Sequence, residues 1–151
     1  MDCPDLRLQL REAFGERFAP GDNGLIGTVA PQDAAELRKL ILCTRESGVP
    51  LVPRGAGTSP FGGAKASEGV VLSFERLNRV VQVNARAELV RVEPGVVWRQ
   101  LIDQLRSRGL MPRVYPSSAA SSTVGGFVAQ GAWGSAAFST AASATACNLF
   151  A

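Results

Sequence analysis

Residues 28–52 constrain the fold more than any other stretch of the chain. Thr28–Ala30 reads as a short strand closed by Pro31, and Asp33 stands where a side-chain oxygen can accept first-turn amides as a helix N-cap. Ala34, Leu37, Leu40, Ile41 and Thr44 then recur along one face of a helix. Gly48 falls at the C′ position, where a left-handed residue ends a helix, and Val49–Val52 is an apolar strand. Strand, helix and strand joined by short links make a βαβ unit, which predicts parallel pairing. A small parallel sheet around a 33–47 helix is therefore expected.

The rest of the chain changes character. Leu6, Leu10, Ala13 and Phe14 give an amphipathic helix over 5–14, and Gly21, Asn23, Gly24 and Gly27 mark a loop. Gly69–Ser73 is a buried-looking strand. Val80–Val83 and Leu89–Glu93 flank a turn and predict an antiparallel hairpin. After Pro94-Gly95, the stripe Val97, Trp98, Leu101, Ile102 and Leu105 predicts a helix ended by Gly109. A proline-bounded link leads to Ser117–Ser122, and Thr123 caps a last helix. An α/β region followed by a hairpin and helices predicts an α+β fold with subdomains over 1–85 and 86–151.

Composition narrows the function. A length of 151 residues suits one domain, and 46% hydrophobic against 19% charged residues excludes wholesale disorder. There is no histidine, so histidine triads, histidine bases and histidine-ligated metals are excluded, and no metal site is assigned. The net charge is +3, and the arginines are dispersed among carboxylates without interleaved aromatics, which argues against a nucleic-acid partner. The local cluster Arg106, Arg108 and Arg113 reads as cations at a helix C-terminus. Three widely spaced cysteines, Cys3, Cys43 and Cys147, make no disulfide framework, with Cys43 expected in the core. With no apolar leader at the N-terminus, a cytoplasmic location is expected. From Val114 to Ala151 no residue is charged, yet repeated Gly, Ser and Thr keep the stretch too polar for a transmembrane helix. It is read as a segment that packs against another layer or a partner.

Two motifs carry chemistry. Val52-Pro53-Arg54-Gly55-Ala56-Gly57-Thr58-Ser59, with Gly62-Gly63 behind it, follows an apolar strand directly. Closely spaced glycines let successive N–H groups converge on an anion, and such a nest suits a pyrophosphate. It is neither a P-loop nor the G-x-G-x-x-G dinucleotide fingerprint, and taken alone it reads as a plain tight loop rather than as an anion site. The second motif is Pro116-Ser117-Ser118 with Thr123-Val124-Gly125-Gly126. A Thr N-cap and two first-turn glycines there predict exposed amides, a second anion site, or else close packing of the turn on a strand.

Taken in order, V-P-R-G-A-G-T-S, a strand, a hairpin ending V-E-P-G-V, an amphipathic helix, P-S-S and T-V-G-G resemble the FAD-binding (PCMH-type) domain of the vanillyl-alcohol-oxidase-like flavoproteins, in the glycolate oxidase and D-lactate dehydrogenase branch. The resemblance covers residues 25–134. It implies a two-subdomain FAD-binding fold with the second subdomain incomplete, and FAD as cofactor. It implies that the amides of Gly55, Ala56, Gly57, Thr58 and Ser59, beside Arg54, wrap the pyrophosphate. Pro116, Ser117, Thr123, Gly125 and Gly126 would line the cofactor from the second subdomain. Glu93-Pro94-Gly95 is a landmark of the family with a structural role.

The pattern departs from the family after Gly134. Ala136-Ala137-Phe138 replaces the expected continuation, and 135–151 approaches low complexity, so a C-terminally truncated or altered domain is expected. The substrate domain of relatives has no counterpart, and no catalytic residue is assigned. Three readings remain open here: the N-terminal part of an FAD-dependent oxidoreductase of a 2-hydroxy acid, such as glycolate or D-lactate; a non-enzymatic nucleotide- or anion-binding module; and an inactive fragment. The small acid would be a partner only of the complete enzyme. A bound yellow chromophore separates the first reading from the others.

Overall fold

A computed structural model describes residues 4–59 and 62–131. The chain divides into two compact units, Met1–Leu77 and Asn78–Ala151. Both mix helix and sheet, giving the expected α+β architecture. The division falls before the expected boundary near residue 85. The hairpin strand that starts at Val80 pairs with the strand after it and so belongs wholly to the second unit.

The first unit holds helix α1 (Pro4–Phe14), strands β1 (Phe18–Pro20) and β2 (Leu25–Val29), helix α2 (Ala34–Glu46), and strands β3 (Leu51–Arg54) and β4 (Gly69–Ser73). Its sheet has the order β1-β2-β4-β3. β4 pairs in parallel with both β2 and β3, and β1 pairs antiparallel with β2. The two strands of the βαβ unit are thus parallel, as expected, but β4 lies between them. Every residue of β4 is buried, which explains its unbroken apolar reading. β3 forms an edge, where Pro53, which has no N–H, costs the sheet no ladder bond. β1 left no signal in the sequence, since Phe-Ala-Pro is too short for a period.

The capping expectations hold in detail. Asp33 Oδ1 accepts from the Glu36 amide at 2.8 Å, and Glu36 in turn accepts from the Gln32 amide at 3.0 Å and from Arg17 at 2.9 Å. At the other end of α2, Gly48 has φ +64°. Its amide reaches Arg45 O at 3.1 Å and the Val49 amide reaches Thr44 O at 3.0 Å, the paired bonds of a Schellman cap. Leu40 and Thr44 are buried, whereas Ile41 turns outward at 44% exposure. Leu37 and Cys43 pack beside the core formed by Leu6, Leu10, Phe14, Ile26, Val29, Leu40, Val70 and Leu72.

The second unit holds the antiparallel hairpin β5 (Val80–Asn84) and β6 (Leu89–Val92), then α3 (Trp98–Arg106) and α4 (Val124–Ala129). α3 buries Trp98, Leu101, Ile102 and Leu105, the expected stripe except for Val97, which stands half-buried at the N-cap before the helix. Trp98, Leu101 and Leu105 form one core with Val92, Val96 and Val124. Glu93 ties the base of the hairpin together. Its carboxylate accepts from the Arg79 amide at 2.8 Å and the Arg79 guanidinium at 2.6 Å and 3.0 Å, which holds its pKa below the ordinary glutamate value against the opposing effect of burial. Among the described residues no helix is long and apolar enough to cross a membrane. The expectations for 132–151 lie outside the described residues.

Candidate cofactor-binding segments

The first segment starts where β3 ends. The Arg54 carbonyl is still held by the sheet, accepting from the Phe74 amide at 3.2 Å. Beyond it the chain leaves the ladder and is punctuated by Gly57 at φ +69°, a conformation open to glycine at little cost. Ala56, Gly57 and Thr58 are exposed, and Gly55 and Ser59 half-buried. Among the described residues, no protein acceptor takes a hydrogen bond from the amides of Gly55, Ala56, Gly57, Thr58 or Ser59. Five successive donors are thus free for solvent or a ligand, at the C-terminal end of a parallel strand, where open α/β sheets bind ligands. Between Glu46 and Glu68 the only charged residues are Arg54 and Lys65, so the neighbourhood in sequence is purely cationic. These features fit an anionic diphosphate. The side of Gly57 itself is filled from within the protein. A Cβ there would lie 3.1 Å from Arg54 Nε and 3.3 Å from an Arg54 terminal nitrogen.

The second segment overturns one expectation. Thr123 caps α4 as predicted, its hydroxyl oxygen accepting from the Gly126 amide at 3.3 Å. The first-turn amides, however, are not exposed donors. Val124 N donates to Val96 O at 2.8 Å, Gly125 N to Pro94 O at 2.9 Å, and Phe127 N to Thr123 O at 3.1 Å. α4 is only six residues long, and its N-terminus is spent on the protein. The anion-site reading of this turn is therefore withdrawn in favour of close packing. Gly125 shows why glycine stands there. A Cβ on it would lie 2.5 Å from Pro94 Cβ and 2.8 Å from Pro94 O. The small residue is demanded by the approach of Glu93-Pro94-Gly95, the stretch expected to be structural.

The same interlock caps α3, whose N-cap Val97 has no polar side-chain atom to accept a hydrogen bond. Trp98 N donates to Ser122 O at 3.1 Å and Arg99 N to Ala119 O at 2.8 Å. Val97 and Thr123 form an isolated antiparallel bridge, so each helix start is closed by backbone carbonyls from the stretch leading into the other. Pro116 is buried, and its carbonyl accepts from Ala119 N at 3.1 Å, closing the turn that leaves Ser117 exposed. Pro116, Ser117, Thr123, Gly125 and Gly126 thus belong to one interlocked turn-and-helix element of the second unit, and Arg54–Ser59 to one loop of the first. Sequence reasoning missed the Pro94 carbonyl as the partner of Gly125. The adjacency of E-P-G to a T-V-G-G turn thirty positions on leaves no local signal.

Comparison with known proteins shows the family of the chain. Residues 26–148 match the FAD binding domain family. The chain is 34% identical over 107 residues to the glycolate oxidase subunit GlcD of Bacillus subtilis, covering 70% of this chain and 23% of that protein. It is 34% identical over 107 residues to D-lactate dehydrogenase of Archaeoglobus fulgidus, covering 70% of this chain and 24% of that one. The chain thus spans about a quarter of the length of these relatives. Among solved structures, an alkyldihydroxyacetonephosphate synthase superposes with a TM-score of 0.78 at 20% identity, covering 89% of this chain and 33% of that one. The free-amide loop falls inside the matched region, and the chain belongs to the FAD binding domain family, with FAD as its cofactor.

Proposed function

We propose that the Arg54–Ser59 loop holds the diphosphate of FAD through the amides of Gly55, Ala56, Gly57, Thr58 and Ser59. The observation that carries this reading is the run of amides left without a protein acceptor. Pro116, Ser117, Thr123, Gly125 and Gly126 line the cofactor by shape and by the Ser117 hydroxyl rather than by first-turn amides. Each of the two units carries one of these segments, Arg54–Ser59 in the first and Pro116–Gly126 in the second. When bound, the flavin supplies the two-electron redox chemistry, and this chain's residues bind and orient it.

The 151-residue chain is expected to bind FAD weakly. Diphosphate and adenosine contacts must offset the ordering of a glycine loop. The test is titration with FAD, ADP and riboflavin. Binding of FAD and ADP with comparable affinity, and none of riboflavin, supports the loop as the site. Tight binding of riboflavin would place the recognition on the flavin ring and sink it.

For the complete enzyme, we propose oxidation of a small 2-hydroxy acid. Support comes from the names of two relatives, a glycolate oxidase subunit and a D-lactate dehydrogenase. Adding glycolate or D-lactate anaerobically to the longest form of the protein encoded by its gene should bleach the flavin absorbance. Unchanged absorbance with both acids would remove this substrate class.

A further inference from the structure

The position of the Arg54 side chain is unexplained by the fold. An exposed arginine ordinarily extends into water or pairs with a carboxylate. The described ion pairs are Arg17–Glu36, Arg79–Glu93 and Arg113–Glu88, and Arg54 takes part in none of them. Its guanidinium instead curls along the loop and lies against Gly57, with Nε, a terminal nitrogen and Cζ at 3.1, 3.3 and 3.6 Å from where a Cβ of that glycine would stand. The absent side chain of Gly57 leaves the space that the guanidinium uses.

We propose that the Arg54 guanidinium is the charge-selecting element of the loop, and that it makes the site prefer a diphosphate over an uncharged nucleoside. The proposal rests on the reading that the loop binds the cofactor's diphosphate. Three observations support it. The five free amides carry only partial positive charge, and a full charge beside them is what distinguishes an anion from a neutral acceptor. No carboxylate of the described residues competes for Arg54. The backbone of Arg54 is in register with Ser73 of β4 and its carbonyl accepts from the next amide, that of Phe74, so the cation stands on the rigid sheet rather than on the glycine loop. A guanidinium also suits phosphoryl oxygens better than an ammonium, because its planar donors can engage two of them at once. The glycine at 57 then has two reasons to be there: its positive φ, and the seat it leaves for the cation.

The experiment is a heteronuclear NMR titration of the 151-residue chain with ADP and with adenosine, at low and high salt. It compares the wild type with Arg54→Gln, Arg54→Lys and Gly57→Val, the amide signals of β2 and β4 reporting that each variant is folded. In the wild type, ADP should bind more tightly than adenosine and weaken as salt rises. Arg54→Gln should lower ADP affinity about tenfold, flatten the salt dependence and leave adenosine unchanged, with Arg54→Lys intermediate. If Arg54→Gln binds ADP like the wild type while Gly57→Val loses it, the loop reading stands and the role of Arg54 falls. Equal weakening of ADP and adenosine by Arg54→Gln would also overturn it, showing that the side chain only shapes the loop. A wild type that does not distinguish ADP from adenosine would remove the loop as a diphosphate site, and this proposal with it.

Discussion

The Arg54–Ser59 loop and the Thr123–Gly126 turn share a vocabulary of two glycines and hydroxyl side chains. Their backbones do opposite things. In the first, five successive amides have no protein acceptor. In the second, the amides of Val124, Gly125 and Gly126 reach Val96 O, Pro94 O and Thr123 Oγ1. The glycines differ accordingly. Gly57 serves through its positive φ, Gly125 through the room it leaves for Pro94. A glycine-rich turn binds a ligand only when the surrounding chain leaves its donors unclaimed. What surrounds it is a matter of tertiary contact, invisible in the turn itself.

The strongest way to break this contrast is Gly125→Ala. The new Cβ would meet Pro94 atoms, backbone included, at 2.5–2.9 Å, so the turn or the Glu93–Gly95 stretch must move. Overpacking of this kind costs about 3 kcal/mol. Denaturant unfolding of the second unit should show the loss. A stability within about 0.5 kcal/mol of wild type, the range of neutral surface changes, would show that this turn is not closely packed.

Glu93→Ala tests the other side of the same junction. It removes the carboxylate that holds the Arg79 amide and guanidinium, and should cost about 1.5 kcal/mol, discounted because the Arg79 head is largely exposed. The pH dependence has a fixed sign. The folded pKa of Glu93 is depressed, chiefly by Arg79, so its stabilisation is complete above the unfolded value near 4.3 and is lost as pH falls through the lower folded value. Unfolding followed below about pH 4.3 should therefore show a decline in the wild type that is smaller in Glu93→Ala. Parallel curves would deny Glu93 that role.

Gly57→Ala, by contrast, should barely disturb the fold. The left-handed φ of +69° costs a side chain about 1 kcal/mol, and the atoms it meets are the movable head of Arg54. Its main effect should appear in ADP affinity, the reverse of the pattern for Gly125→Ala. Equal effects of the two substitutions on stability would erase the distinction between a loop glycine kept for ligand and one kept for packing.

These contrasts also mark how far the sequence could be read. The N-cap of Asp33, the ends at Gly48 and Gly109, the α3 stripe and β4 over Gly69–Ser73 were legible because each rests on local rules of capping or period. The insertion of β4 between β2 and β3 was not, since strand order is set by distant pairing. Ile41 was misplaced on the α2 stripe because helical period alone does not say how wide a face is covered. For the candidate site, the order of motifs indicated a flavin cradle. Which amides were already claimed depended on Pro94 and Val96, some thirty residues from the turn.

The smallest expected effect comes from the one side-chain donor that the second unit leaves buried and unpartnered among the described residues, Trp98 Nε1. The indole is 2% exposed and meets Phe127 of α4 edge-on, with ring centroids 5.5 Å apart. Trp98→Phe removes the buried N–H, whose desolvation costs about 1–3 kcal/mol, and forfeits apolar contact of similar worth because the phenyl ring is smaller. The two should nearly cancel, leaving unfolding within about 1 kcal/mol of wild type. Trp98→Ala loses the ring contact without compensation and should cost about 3–5 kcal/mol. The pair of variants therefore separates packing from hydrogen bonding at this position. A loss of about 3 kcal/mol in the phenylalanine variant would mean that the indole N–H has an acceptor, such as an enclosed water. The second segment would then be closed by a side-chain hydrogen bond as well as by its backbone.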